Sequence, residues 1–266
     1  MVQNPADSAA SDPCAPRPAW ETLPTMYDLP SEDPREPGLP DQFHEFQPQL
    51  LQETFRSAVY PPEQVFFGAD LNLYYDVRHP LWYKRPDWFV VLGVAPALTQ
   101  EELRLSYVIW QEGVAPYLVL ELLLPGTEAE DLGQTLRTVD QPPTKWQVYE
   151  QILRIPFYAV YDRYENQLRL FQLQGLRYQP LKASPMAAQR FWFEEIDLGL
   201  GIWEGEYRGT QGRWLRWYNV SGQWLPTPTQ RADQEAQRAD QEAQRADKLA
   251  ARLRELGIDP DAIADA

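Results

Sequence analysis

Apolar positions along the chain fall into blocks whose spacing separates strands from helices. Two of them, "DWFVVLGV" (87–94) and "YLVLELLL" (117–124), are continuous runs of about eight residues bounded by Pro or Gly, which predicts buried strands. The stretch "QVFFGADLNLYYDV" predicts one or two further strands. "FYAVYDRYENQLRLFQL" carries aromatic and apolar residues on two arms around "DRYEN" and predicts a hairpin. "GIWEGEYRGTQGRWLRWYNVSGQWL" predicts short strands separated by Gly turns. Two blocks have helical spacing instead. In "HEFQPQLLQETFRSA" (44–58), Phe46, Leu50, Leu51 and Phe55 recur at helical intervals despite Pro48. "KWQVYEQIL" (145–153) is the second. Strands mixed with two helices predict an α/β sheet domain over 44–228.

Both ends depart from this pattern. Residues 1–43 are rich in Pro, Asp and Glu and predict an acidic arm, with Tyr27 and Leu29 as candidate anchors. From Arg231 the chain repeats every seven residues. Ala232, Ala236, Ala239, Ala243, Ala246, Ala250 and Leu253 alternate steps of four and three, the seam of a coiled coil. A helix over 231–256 would be roughly 39 Å long. Its alanine seam supplies little buried area, so a solvated single helix and a coiled coil that recruits a second copy or a partner both fit residues 229–266.

Composition narrows the class. The 266 residues include 10 Trp, 14 Tyr and 10 Phe, ample for a packed core. No apolar run approaches the roughly 20 residues needed to span a bilayer, so no membrane association is expected. No basic-then-apolar leader is visible, and the lone cysteine, Cys14, has no internal partner; a cytoplasmic protein is the expectation. The net charge of −15 argues against a basic nucleic-acid surface, but it is concentrated at the ends. Residues 1–45 carry −7 and residues 229–266 carry −3, leaving −5 for the middle.

The candidate chemistry begins with Glu121, a single acid inside an apolar strand. Burying an unpartnered carboxylate costs several kcal/mol or forces proton uptake. Asp87 opens the other apolar strand, after Pro86. Lys145 stands one helical turn ahead of Tyr149 and so shares its face. Two carboxylates on neighbouring strands repel, and a divalent cation removes the conflict; Mg²⁺ suits such an oxygen site. A nearby lysine orients water or offsets charge on a phosphate oxygen. These are the parts of a metal-dependent phosphodiesterase.

At these residues the sequence resembles the Uma family of restriction endonucleases, within the PD-(D/E)XK nuclease superfamily. The matching pieces, in order, are "RPDWFVV", "LVLELLLPGT", Asp131, "KWQVY" and "PFYAVYDRY", over roughly 65–180. The resemblance implies a restriction-endonuclease-like mixed sheet flanked by helices. It also implies Mg²⁺-dependent cleavage of a nucleic acid, most naturally DNA. Asp87, Glu121 and the backbone carbonyl of Leu122 would hold the metal, with Lys145 as the catalytic cation. The chain departs from the superfamily at Leu123, where a lysine often stands, which moves that role to Lys145. The "LPGT" loop keeps only Thr127 as a hydroxyl, and the gap from Asp131 to Lys145 is long. Asp70 and Glu53 are secondary candidates for metal or water ligands.

Other readings have less material. Pro-Asp before a strand is commonly a turn, a buried acid is commonly paired with a cation, and Lys145 with Tyr149 is also ordinary helix surface. A non-catalytic nuclease-like protein whose heptad tail recruits a partner is therefore the rival reading. His44 and His79 are the only histidines, too few for a histidine metal cluster. "GLGIWEG" lacks dinucleotide-fingerprint spacing. Trp192, Trp203, Trp214, Trp217 and Trp224 read as packing in a β-rich extension before a stacking surface.

Overall fold

The computed structural model describes residues 23–25, 28, 42–123, 128–135, 141–183 and 189–256. Most of the arm, Cys14, Tyr27, Leu29 and the loop residue Thr127 lie outside the described residues. The chain divides into two compact units, 1–44 with 60–182, and 45–59 with 183–266. This differs from the three-part division expected from the sequence, because the Trp-rich strands cluster with the C-terminal helix and with residues 45–59.

The first unit is built on strands β1 (Val65–Ala69), β2 (Leu73–Tyr74), β3 (Tyr83–Lys84), β4 (Trp88–Leu92), β5 (Tyr107–Val108), β6 (Leu118–Leu122), β7 (Phe157–Asp162), β8 (Gln167–Gln174) and β9 (Arg177–Pro180). Six of them form one sheet in the order β1-β4-β6-β7-β8-β9. The sheet is mixed: β6 runs parallel to β7, and the other neighbours pair antiparallel. β3, β2 and β5 make a small second sheet. Helix α1 (Gln42–Thr54) begins in this unit and continues in the other. Two single-turn helices follow, α2 (Ile109–Glu112) and α3 (Glu128–Asp131). A last helical segment starts as α4 (Lys145–Gln147) and widens into a π-helical turn over Val148–Ile152. The α/β class and the restriction-endonuclease-like mixed sheet expected from the sequence are present.

The two apolar runs are buried on both faces, which is why they lack alternation. Phe89, Val91, Val119, Leu123, Tyr158 and Val160 form one core cluster with Val148 and Tyr149 of the helical segment. Parity then dictates the site. Residues on one face recur every second position, so Asp87 shares the face of Phe89, and Glu121 shares the face of Val119. Both acids project to the side covered by the α4 segment.

The second unit contains β10 (Arg190–Phe193), β11 (Leu198–Tyr207) and β12 (Thr210–Tyr218), an antiparallel sheet in that order. Trp214 and Trp217 are buried, and the Trp217 indole donates to the Leu51 carbonyl at 3.0 Å. Gln47 of α1 clamps Leu215, donating to its carbonyl at 2.9 Å and accepting from its N–H at 2.7 Å. The expected packing role of the tryptophans holds for these two. Helix α5 (Pro228–Glu255) is continuous, as the heptads predict, with Thr227 and Gln230 forming a capping box. Residues 232–249 are exposed throughout. Among the described residues, no helix is long and apolar enough to cross a membrane.

Candidate active site

Register brings the two acids together. In the β4–β6 ladder Trp88 faces Leu120, so one step further Asp87 stands opposite Glu121. Instead of a main-chain pair, side chains close the end of the ladder. The Leu122 N–H donates to Asp87 Oδ2 at 2.6 Å, and the Asp87 N–H donates to Glu121 Oε2 at 3.4 Å. Each carboxylate is thereby tied to the other's strand.

The helix supplies the cation. Thr144 caps it, accepting from the Gln147 N–H at 3.1 Å, while Gln147 accepts from the Thr144 N–H at 3.0 Å. Lys145 thus enters at the first helical position, with Tyr149 four residues on. Both reach the same carboxylate. Lys145 Nζ lies 2.9 Å from Glu121 Oε2, and the Tyr149 hydroxyl donates to Glu121 Oε1 at 2.9 Å. The shared-face argument from sequence therefore holds, although the backbone there is partly π-helical, a distortion common at functional sites.

Asp131 completes the cluster. Its Oδ1 is 3.1 Å from Lys145 Nζ, an ion pair without hydrogen-bond geometry, so this buried oxygen has no hydrogen-bond partner. The Tyr158 hydroxyl donates to the Asp131 carbonyl at 2.9 Å, and the Lys145 N–H donates to Glu130 Oε1 at 3.2 Å. Gly133 ends this turn with φ +71°, and a Cβ there would stand 2.7 Å from the Trp146 ring, so the close approach of the α3 turn to the α4 segment requires glycine. His44, from the start of α1, has Nε2 3.1 Å from the Leu122 carbonyl, which makes Nε2 the protonated nitrogen. Sequence reasoning set His44 aside. Its one signal was position at the head of an amphipathic helix, which does not reveal a partner 78 residues away.

Charge defines the site. Glu121 is fully buried and Asp131 is 2 % exposed, while the Lys145 side chain is 23 % exposed. Three carboxylates, Asp87, Glu121 and Asp131, meet one ammonium, leaving a formal −2. Burial pushes the Glu121 carboxyl well above its ordinary range; Lys145 opposes this, and Asp87 and Asp131 add to it. Burial also raises Asp87, against Lys145, the Leu122 N–H and His44. For Lys145 burial favours the neutral amine, but Glu121, Asp131 and Asp87 outweigh it and hold the ammonium charged. Burial and the neighbouring Glu121 raise the Tyr149 phenol, so it remains a donor.

Among the described residues, no three His, Cys, Asp or Glu side chains converge to hold a metal ion by themselves. The donors that fit a hard cation are two carboxylates, Asp87 and Glu121, with the Leu122 carbonyl, which keeps one lone pair free of His44. Such a set suits Mg²⁺, which retains several waters, and the −2 excess is what a divalent ion offsets. Asp70 donates its N–H to the Asp87 carbonyl at 3.3 Å, but its carboxylate is in an ion pair with Arg85 at 2.6 Å. Glu53 belongs to the second unit, 4.0 Å from Arg208. Among the described residues, the Asp70 carboxylate makes no hydrogen bond or ion pair to the cluster.

No curated protein matches the chain. The profile of the family Uma2, described as "Putative restriction endonuclease", matches residues 19–195, which include every member of the cluster. With the mixed sheet and the acid–acid–lysine grouping already in place, that match over about two thirds of the sequence settles the kinship, and the chain belongs to the Uma2 restriction endonuclease family.

Proposed function

We propose that the protein is a divalent-cation-dependent endonuclease that hydrolyses phosphodiester bonds of a nucleic acid, with DNA the substrate the family description favours. Asp87, Glu121 and the Leu122 carbonyl would hold the cation, with Mg²⁺ the expected ion. When bound, it supplies Lewis-acid charge to the phosphoryl group. Lys145 does the remaining electrostatic work. Its ammonium is kept charged and aimed by Glu121 and Asp131, and it donates to a phosphate oxygen or to the attacking water. Tyr149 fixes the second oxygen of Glu121, and His44 fixes the Leu122 carbonyl. These two are positioning residues.

The observation that carries this reading is the convergence of three acids on one lysine at a strand-pair end. A structural ion pair needs one acid for one base. Two surplus buried carboxylates are unfavourable unless something compensates them. The rival, a nuclease-like fold acting as an interaction module, draws on the −15 net charge and on Lys145 being engaged by two acids already.

Calorimetric titration with Mn²⁺ separates the two. The parent should bind one ion per chain. Asp87→Asn and Glu121→Gln should lose that binding, and Lys145→Ala should keep it. Mn²⁺ binding that is absent, or unchanged in Glu121→Gln, would remove the metal site and with it the enzymatic reading.

A further inference from the structure

Lys84, in the short strand β3, is a buried lysine to which the proposed chemistry gives no task. It is 8 % exposed. Its Nζ stands 3.7 Å from Glu130 Oε1, and that same oxygen accepts the Lys145 N–H at 3.2 Å. Burying a lysine costs both solvation and side-chain freedom, so its place needs a reason.

The α3 turn holds Lys145 at two points. Glu130 takes its main-chain N–H, and the next residue, Asp131, takes its ammonium at 3.1 Å. Lys145 is the first residue of α4, so its N–H has no intrahelical acceptor. Glu130 supplies one, but it also adds a carboxylate to a cluster already in negative excess. An ionised Glu130 left alone would compete with Glu121 and Asp131 for the Lys145 ammonium. Lys84 removes that conflict. It offsets the added charge, so Glu130 holds the main chain of Lys145 while the ammonium stays on Glu121 and Asp131.

Lys84 is itself fixed relative to Asp87, three residues on. Its Cα pairs with Leu73 of β2. Arg85, next in sequence, donates from Nε to the Asp70 carbonyl at 3.2 Å and from Nη2 to Asp70 Oδ2 at 2.8 Å. The Asp70 N–H in turn donates to the Asp87 carbonyl at 3.3 Å. Pro86 stiffens the remaining link. The path Lys84–Glu130–Lys145 therefore starts beside the acid proposed to hold the cation and ends at the lysine proposed to act on the phosphate.

We propose that Lys84 is a positioning residue of this centre: acting through Glu130, it sets where the Lys145 main chain, and so its ammonium, stands relative to Asp87. The consequence for cleavage rests on the nuclease reading, in which the rate depends on the spacing of cation and ammonium. A misplacement of about 1 Å can cost on the order of 100-fold.

Two measurements on the full chain test this. The first needs no activity: hydrogen exchange at the Lys145 amide in the metal-free protein, compared with the amide of Val160 in the core strand β7, which reports general loosening. Lys84→Met should speed Lys145 exchange about fivefold or more relative to Val160, the scale of one lost hydrogen bond. Lys84→Arg keeps the charge near Glu130 and should stay within about twofold of the parent. The second is cleavage kinetics at saturating Mg²⁺. Lys84→Met should lower kcat about tenfold or more with KM unchanged, and Lys84→Arg should restore most of it. Glu130→Ala with Lys84→Met should cut no slower than Glu130→Ala alone. Unchanged Lys145 exchange in Lys84→Met, a rise that Val160 shares, a loss in KM alone, or additive losses in the double variant would each overturn the proposal. A parent that cuts no substrate fails the nuclease reading instead, and the exchange data still decide whether Lys84 holds Lys145.

Discussion

Replacing Glu121 by Gln in the metal-free protein should change the pH dependence of stability in a direction that the geometry fixes. At 2.9 Å and an effective dielectric near 20, attraction between Lys145 and Glu121 is about 6 kcal/mol. Taking each charge out of water costs several kcal/mol. One lysine therefore offsets roughly one buried carboxylate, not three. The folded protein holds a proton on Glu121 at pH values where the unfolded chain has released it. Because the native state binds more protons in that window, stability falls as pH rises above the ordinary value of 4.5. The slope approaches about 1.4 kcal/mol per pH unit, worth about 2–4 °C in Tm per kcal/mol for a chain of this size. Gln carries no proton, so the variant lacks this component. Its absolute stability is a poorer readout, because the amide must present its nitrogen to either Lys145 or the Tyr149 hydroxyl. Urea unfolding between pH 5 and 7, with chelator present, should show the parent losing stability relative to Glu121→Gln at about 1.4 kcal/mol per unit until Glu121 ionises. Saturating Mg²⁺ should flatten the parent's slope. Parallel profiles, or a variant that loses ground as pH rises, would refute the assignment of surplus negative charge to this cluster.

Lys145→Met should destabilise the metal-free protein by about 3–5 kcal/mol at pH 7.5, since it strands buried Glu121 and Asp131 without their cation. The loss should shrink toward pH 5 as the Glu121 carboxyl takes up a proton, which chemical denaturation at two pH values checks. Thr144→Ala removes one half of the capping box and should cost about 1 kcal/mol in the same assay, with a loss of cleavage rate greater than its loss of fold because Lys145 is the next residue. The chain should remain a monomer by light scattering at neutral pH and low salt. Its alanine seam is flanked by Asp233, Asp240 and Asp247 on one side and by Glu235 and Glu242 on the other, so a second copy meets like charges in either orientation. A dimer that Ala239→Glu with Ala246→Glu dissolves would contradict this.

Much of the site was legible because burial and charge conflict visibly at Glu121. An acid inside an unbroken apolar run declares both a buried strand and a partner. Asp87 was legible for a related reason, since Pro86 starts the strand and parity fixes its face. Lys145 and Tyr149 followed from helical spacing alone, a local property. Asp131 could be named by its place in the family order, but its burial could not be seen, because "EAEDLG" reads as an exposed acidic loop. The approach of Gly133 to Trp146, with the Lys145 N–H bond to Glu130, seats that turn against the helix, and neither shows in residue identity. His44 was not legible, since its partner is a main-chain carbonyl, which leaves no trace in residue identity. The clustering of residues 45–59 with the Trp-rich strands was hidden for the same reason: the Gln47 and Leu51 bonds that join them run partly to backbone atoms.

Cleavage itself is the most direct test. Supercoiled plasmid, single-stranded DNA and RNA should be incubated with the purified chain across a Mg²⁺ titration, beside Glu121→Gln and Lys145→Ala. At least one substrate should be cut by the parent only when the cation is present. Both variants should lose about 100-fold or more in rate, the scale of removing one transition-state donor or the ion's anchor. A parent that cuts none of the three with Mg²⁺ or Mn²⁺, or variants that cut as fast as the parent, would contradict the assignment of Asp87, Glu121 and Lys145 as a nuclease centre.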